Sequence, residues 1–244
     1  HAAVLFRRVV LDNVGRYDEQ VGSAEDLDLW LRIAENFQLS NLLEVLYSVR
    51  VHSASVVGAG LRRHLESVYL VRHLTLERWQ QTRRPLAPPE IIARARLLMA
   101  CQDFIMGREG EGVANLQAAQ LAFPQTIHTA RQNAADIANM ALNACRLVTV
   151  PSALIQWETV GTHYIEQVVT RLPAPWTLSA RQVRAQFFVS LSFQAYVNQQ
   201  YPAVLRYAIK GCLADPRWLK NRGLWIMVGY ALLKRRGALL RSMR

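Results

Sequence analysis

The sequence contains few cysteines, and none of them belongs to a recognisable site. Cys101, Cys145 and Cys212 lie far apart and include no CxxC pair, so the pattern predicts neither a disulfide framework nor a zinc site. A reducing compartment is the default for such a chain, and we expect a cytoplasmic protein. The sequence also lacks a signal-peptide pattern and any apolar run of the ~20 residues that a membrane-spanning helix needs.

Acidic residues and lysines are scarce beside arginine. The 244 residues include 18 acidic and 29 basic side chains, a formal net charge of +11, and the only lysines are Lys210, Lys220 and Lys234. The excess predicts anionic partners such as phosphates, nucleic acid or a membrane surface, and the guanidinium fork suits phosphate and carboxylate groups. An arginine-rich genome would produce the same bias. No nucleic-acid motif accompanies the charge, so we expect no nucleic-acid partner.

Hydrophobic residues make up 51% of the chain, which indicates a globular protein. Residues 1–58 have a mixed pattern. Residues 2–11 are apolar and β-branched, which predicts a strand that runs into a short helix, and residues 44–52 alternate as a second strand does. Between them a helix is predicted with one apolar stripe, formed by Leu27, Trp30, Leu31 and Ala34. We therefore expect an α/β region over residues 1–58.

Residues 59–244 have helical spacing and are rich in Ala and Leu, so the chain as a whole is predicted to be predominantly α. Within this extension, residues 101–124 and 193–216 each place an aromatic at the fourth position and a proline at the last. Small residues cluster in both. The two segments resemble tetratricopeptide-type hairpins, predicted at residues 94–124 and 186–216. Two unrelated amphipathic hairpins remain the alternative.

The stretch GSAEDLDLWLRIAE, residues 22–35, places three carboxylates directly before an apolar helix face. Ser23 and Asp26 have the spacing of a capping box, and Glu25, Asp26 and Asp28 would favour the positive end of the helix dipole. The local pattern therefore indicates a helix start. A catalytic carboxylate is the alternative.

The first 55 residues contain an ordered series of motifs. An apolar segment ends in Phe6-Arg7-Arg8, the turn Val14–Glu19 reads VGRYDE, Ala24-Glu25-Asp26 precedes DLWLRIA at residues 28–34, and VRVH with Ser53 and Ser55 follows from Val49. In order and spacing this series resembles the second half of the catalytic domain of family 2 glycosyltransferases. The resemblance implies a GT-A fold and a nucleotide-sugar donor. It also implies that the donor-binding N-terminal half is missing from this chain.

The resemblance implies roles for the matching positions. Asp26 is expected to be the general base that takes a proton from the acceptor hydroxyl in an inverting transfer, and Glu25 is expected to support it. His52 corresponds to a histidine that helps bind a divalent metal, Mg²⁺ or Mn²⁺, or the donor diphosphate. Arg50 lies beside it on the donor side, and Ala2 and Ala3 match a donor-side loop. An Asp-x-Asp metal motif is absent before residue 24, so we expect the chain alone not to turn over.

Two other functions compete with this expectation. Residues 59–244 fit a helical binding module for an acceptor or a partner protein, the acceptor of a transferase being a carbohydrate, lipid-linked or protein molecule. The apolar run 223–233 is followed by a basic end at residues 232–244, which fits a helix on the inner membrane surface. A core-packed last helix with a solvated basic tail is the alternative to that membrane helix.

Overall fold

The computed structural model describes residues 4–48, 60–81, 87–124, 130–148, 154–174, 176 and 178–242. Helices account for most of these residues, and no strand occurs among them. The predominantly α character is therefore confirmed. An α/β fragment over residues 1–58 is not supported by the part of that region that the structure describes.

Both predicted strands differ from the structure where it can be compared with them. Residues 4–7 are irregular and helix α1, Arg8–Val14, follows them. Residues 44–48 are irregular as well, and Val45 and Tyr47 are 93% and 52% exposed. The alternating pattern fails because no partner strand pairs with either segment among the described residues. The remainder of the second predicted strand, residues 49–52, lies outside them.

The chain forms two units, His1–Ile92 and Ala93–Arg244. In the first unit, α1 is followed by a 3₁₀ helix at Glu19–Ala24, by α2 at Glu25–Ala34 and by α3 at Leu61–Gln81. The sequence change at residue 58 places α3 in the helical extension, whereas its contacts place it with the N-terminal unit. The domain assignment itself stays a prediction.

Two small apolar clusters hold α2 in place. On one side Leu29 and Ile33 pack with Val10 of α1. On the other side Leu27 and Leu31 pack on a cluster formed by Val21, Ala24 and Val71, the last of which belongs to α3. The predicted stripe is therefore only partly right: the buried residues of α2 are Asp28, Leu29 and Ile33, and Ala34 is exposed.

The described part of the second unit consists of consecutive helix pairs and one further helix that has no partner in such a pair. Helix α4, which begins in the first unit, spans Pro89–Ile105. The helices that follow it are α5 (Glu109–Ala122), α6 (Ala130–Val148), α7 (Leu154–Thr170), α8 (Ala180–Val197), α9 (Tyr201–Ala214) and α10 (Arg222–Ser242). A 3₁₀ helix at Pro216–Lys220 precedes α10.

Each pair is a tightly packed hairpin. In α4/α5 the side-chain amide of Asn115 donates to Asp103 at 2.8 Å, and a Cβ on Gly112 would lie 2.7 Å from the Phe104 ring. In α8/α9 the Ser192 hydroxyl donates to the Val204 carbonyl at 2.7 Å. Helix pairs occupy the segments of both predicted hairpins, each with a three-residue connection and a 14-residue second helix. Their membership of the tetratricopeptide class stays a prediction.

The hairpins stack in sequence order. First helices of neighbouring pairs contact each other, as α6 and α8 do, and α8 also contacts the single helix α10. Arg94 of α4 reaches Asp136 of α6 with a 2.7 Å ion pair. The second helices of neighbouring pairs are joined by hydrogen bonds between residues far apart in the sequence. For example, the Tyr207 hydroxyl of α9 donates to the Leu154 carbonyl of α7 at 2.9 Å. This neighbour-to-neighbour pattern is typical of a helical repeat stack.

None of the helices in the described ranges is both long enough and apolar enough to span a membrane.

Candidate functional site

The three carboxylates of the acidic stretch occupy the first turn of α2. Glu25, Asp26 and Asp28 begin the helix, and Ala24 stands at the N-cap position without a side-chain hydrogen bond. Carboxylates at this end interact favourably with the partial positive charge of the helix N-terminus. The predicted helix start is confirmed, but the predicted capping box of Ser23 and Asp26 is wrong.

Ser23 bonds to α3 instead of to its own helix. Its hydroxyl lies 3.1 Å from Nδ1 of His64, and its backbone N–H donates to the Ser67 hydroxyl at 3.3 Å. Gly22, just before it, has φ of 61°, and a Cβ there would lie 2.7 Å from the Ser67 Oγ. Only glycine meets both conditions without strain, so this close approach fixes the 3₁₀ helix against α3.

Asp28 is the buried carboxylate of the acidic stretch, with a side chain that is 3% exposed. It accepts a hydrogen bond from Nε of Arg32 at 2.8 Å. Arg32 in turn donates to the carbonyl of Val14 and, at 2.7 Å, to that of Arg16. One ion pair inside α2 therefore also holds the turn after α1.

Arg78 of α3 joins the same ionic network. Its guanidinium lies 3.5 Å from Asp28 and 3.2 Å from Glu35 at the end of α2. Glu35 also accepts from the indole N–H of Trp79 at 3.1 Å. The two ends of α2 are therefore tied to one turn of α3, which makes α2 a fixed element.

A cleft of about 400 Å³ opens beside this network. Tyr17 and Leu74 form the uncharged part of its lining. Charged side chains of both signs form the rest of its lining: Arg16, Asp18, Glu19, Asp28, Arg32 and Arg78. Asp28, rather than Asp26, is the carboxylate of the acidic stretch that borders this cleft.

Asp26 and Glu25 are partly exposed at the start of α2. One carboxylate oxygen of Asp26 accepts from the backbone N–H of Leu27 at 2.7 Å. The other predicted site residues, Ala2, Ala3, Arg50 and His52, lie outside the described residues. The structure therefore places two of the six predicted residues together, at one helix start.

A divalent metal was expected with the family resemblance. Within the described ranges, no three His, Cys, Asp or Glu side chains are grouped so that they fit a metal ion. Those residues do not fit a metal site by themselves, so we assign no step to a metal in this chain.

The structural roles of Asp28, Arg32 and Arg78 are not among the predictions from the sequence. The spacing of Asp28 and Arg32, four residues apart on a helix, is a readable signal for an ion pair. Arg78 lies far along the chain in another helix, and no local pattern connects it to α2.

A second candidate site is a groove of about 410 Å³ between α6 and α8. Polar side chains dominate its lining, and one of them belongs to Arg146, an exposed residue whose pKa is lowered by partial burial of the guanidinium. The residues are Asn139, Leu142, Asn143 and Arg146 of α6 with Ser190, Phe193 and Gln194 of α8. This groove runs between first helices of neighbouring hairpins, so the stacking of the hairpins creates it.

Comparisons of the whole chain with protein-family models, with curated proteins and with solved structures found no match.

Proposed function

We propose that this chain carries the acceptor-side part of a glycosyltransferase that moves a sugar from a nucleotide-sugar to an acceptor hydroxyl. The observation that carries the proposal is the ordered motif series of residues 6–55, in which Asp26 matches the general base. The transfer would invert the anomeric centre, with Glu25 supporting Asp26. The finer fold is part of the proposal: a GT-A domain would have to take its strands from outside residues 4–48, which contain none.

The structure supports the role of Asp26 through the rigidity of its helix. A general base needs a carboxylate held within hydrogen-bond reach of the proton it removes. The Asp28–Arg32 pair, the 3₁₀ helix and α3 fix α2, and the Asp26 carboxylate is partly exposed at the end of this fixed element. An acceptor hydroxyl can therefore approach it from solvent.

The decisive test is Asp26→Asn in an enzyme that joins this chain to a donor-binding half. We expect kcat to fall by about 10²- to 10⁴-fold because the amide cannot accept the proton. The melting temperature should stay close to the parent value, since Asp26 takes no part in the Asp28 network. Residues 1–244 alone should show no turnover with any nucleotide-sugar.

Asp12→Asn is the matched control, because Asp12 is an exposed carboxylate of α1. It should leave kcat unchanged. Full activity of the Asp26→Asn enzyme would contradict the proposed mechanism.

The second candidate function is a binding module, and the α6/α8 groove favours it. Amide side chains both donate and accept hydrogen bonds, which suits the peptide groups of an extended segment. Arg146 adds a cation that pairs with a carboxylate. The occupant that this lining fits is an extended acidic peptide of an acceptor or partner protein.

This candidate is tested by selecting peptides from a displayed library on the intact chain. Acidic peptides should be enriched, and Arg146→Glu should abolish their binding, whereas Asp26→Asn should leave it unchanged. Arg63→Glu, at an exposed position of α3, is the charge-matched control. Equal loss with both arginine variants would show a general charge effect and contradict a groove-specific site.

A further inference from the structure

Helix α10 is apolar on both of its sides. Leu224, Met227, Val228 and Ala231 are buried on one side. The other side, here called the outer face of α10, is formed by Trp225, Ile226, Tyr230, Leu232 and Leu233, which are between 37% and 67% exposed. A helix that is apolar all round is normally buried on every side. The outer face of α10 is therefore a surface that calls for a binding partner.

The repeat stack makes the exposure unusual. Helix α8 is contacted by α6 and α7, which precede it in the chain, and by α9 and α10, which follow it. The main contacts of α10 among the described elements are with α8 and α9, which precede it in the stack. In this arrangement the five apolar side chains of the outer face stay exposed.

The segment of chain that carries this face has charge of one sign. Residues 216–244 contain eight basic side chains and no acidic one. Lys220 and Arg222 are exposed at the start of α10, and Lys234 is exposed at the far end of the apolar row. The occupant must therefore offer an apolar layer and negative charge together.

A second copy of this chain does not meet that condition. If two outer faces packed parallel, Arg222 would lie beside Arg222. If they packed antiparallel, it would lie beside the basic end that begins at Lys234. Like charges placed opposite one another oppose association. The positive charge of the face therefore disfavours self-association.

We propose that the outer face of α10 docks on an anionic lipid bilayer. With 3.6 residues per turn, Ile226 and Leu233 lie on one row of the helix, and Trp225 and Tyr230 flank that row. The aliphatic side chains would enter the acyl boundary, and the two aromatic rings would lie at headgroup level, where such rings are enriched. Lys220, Arg222 and Lys234 would meet the anionic headgroups. The helix would lie in the plane of the membrane, as interfacial amphipathic helices do.

The test is co-sedimentation of the intact chain with two kinds of vesicle. One kind contains phosphatidylcholine alone, and the other also contains about 30% phosphatidylserine, which gives it a roughly physiological anionic charge. We expect binding only to the anionic vesicles and weakening with added salt. Ile226→Ser with Leu233→Ser should lower the partition coefficient by about 10-fold or more, because buried apolar area is lost. Lys220→Gln with Arg222→Gln should lower it by about 30-fold, which corresponds to about 1 kcal/mol per basic side chain near the surface.

Matched controls lie away from α10. Leu121→Ser with Ile155→Ser changes two aliphatic side chains that are 83% and 68% exposed, and Arg7→Gln with Arg8→Gln removes two exposed charges. Both controls should bind like the parent. Far-ultraviolet circular dichroism checks the fold of each variant, and the charge pair keeps the test valid if the serine pair does not fold.

Absence of binding to anionic vesicles would overturn the proposal. Equal binding by both α10 variants would overturn it as well. A dimer in size-exclusion chromatography with light scattering that the serine pair converts to a monomer would show that a second copy covers the face. Equal binding to neutral and to anionic vesicles would contradict the proposed role of the basic residues.

Discussion

At the scale of single residues, the position of Gly22 shows how a backbone contact restricts side-chain choice. Gly22→Ala should destabilise the chain by about 1–3 kcal/mol, because the residue has positive φ and its Cβ would meet the Ser67 Oγ at 2.7 Å. Urea unfolding measures the change.

Gly110→Ala is the control for this prediction. Gly110 lies in α5, and a Cβ there meets no atom within 4 Å. Since alanine favours a helix over glycine, this variant should gain up to about 1 kcal/mol. A loss with Gly110→Ala as large as that with Gly22→Ala would contradict the steric explanation.

The cysteines also behave individually, and all three are buried. Burial raises the pKa of Cys145 from its ordinary value of 9.0 to about 12, and it raises the pKa of Cys212 as well. A raised thiol pKa lowers the thiolate fraction at pH 8, and only the thiolate reacts quickly. Ellman's reagent at pH 8 should therefore find no fast thiol in the folded chain and three in urea. A fast reaction of one thiol in the folded chain would show an accessible thiolate.

At the scale of elements, α2 depends on one buried ion pair. Asp28→Asn should cost about 3–5 kcal/mol, because it removes the buried charge that Arg32 and Arg78 share; Arg32 then loses its carboxylate partner, whereas Arg78 keeps Glu35. Thermal unfolding measures the loss, and hydrogen exchange should show faster opening of residues 8–34.

Asp26→Asn serves as the comparison, since both residues lie in the first turn of α2 and only Asp28 is buried. The partly exposed carboxylate of Asp26 should contribute less than about 1 kcal/mol through the helix dipole. If both variants lose equal stability, the dipole and not the ion pair fixes α2.

How far the sequence predicts such elements depends on whether their determinants are local. The start of α2 at Glu25 is predicted correctly, because the acidic first turn is a local signal. The capping by Ser23 is predicted wrongly, because Ser23 bonds to His64 and Ser67, which are more than 40 residues away. The strand pattern near Tyr47 fails for a related reason, since alternation predicts a strand only if a neighbouring strand exists.

The hairpins of the second unit are the most predictable part of the fold. Their helical spacing and their proline ends are visible in the sequence, and the small residues mark places where helices approach closely. A Cβ on Gly211 would lie 2.7 Å from the Val189 side chain. The groove between α6 and α8 could not be predicted, because it depends on which helix faces the stacking of the hairpins brings together.

At the scale of the molecule, the second unit is a series of neighbours, so its stability should vary along the series. Native-state hydrogen exchange should be slowest in α8, which has neighbours on both sides, and fastest in α10. Mass spectrometry after proteolysis resolves the two helices. Equal exchange throughout would show that the unit opens as a single cooperative body.

The two hairpins with three-residue connections and 14-residue second helices have a further consequence. Because each hairpin contacts chiefly its neighbours, duplication or loss of one hairpin changes the number of interfaces but not their geometry. Gene-level gain or loss of whole hairpins would therefore lengthen or shorten the row of first helices in equal steps. A family built this way would vary the length of this row while leaving the residues of α2 unchanged.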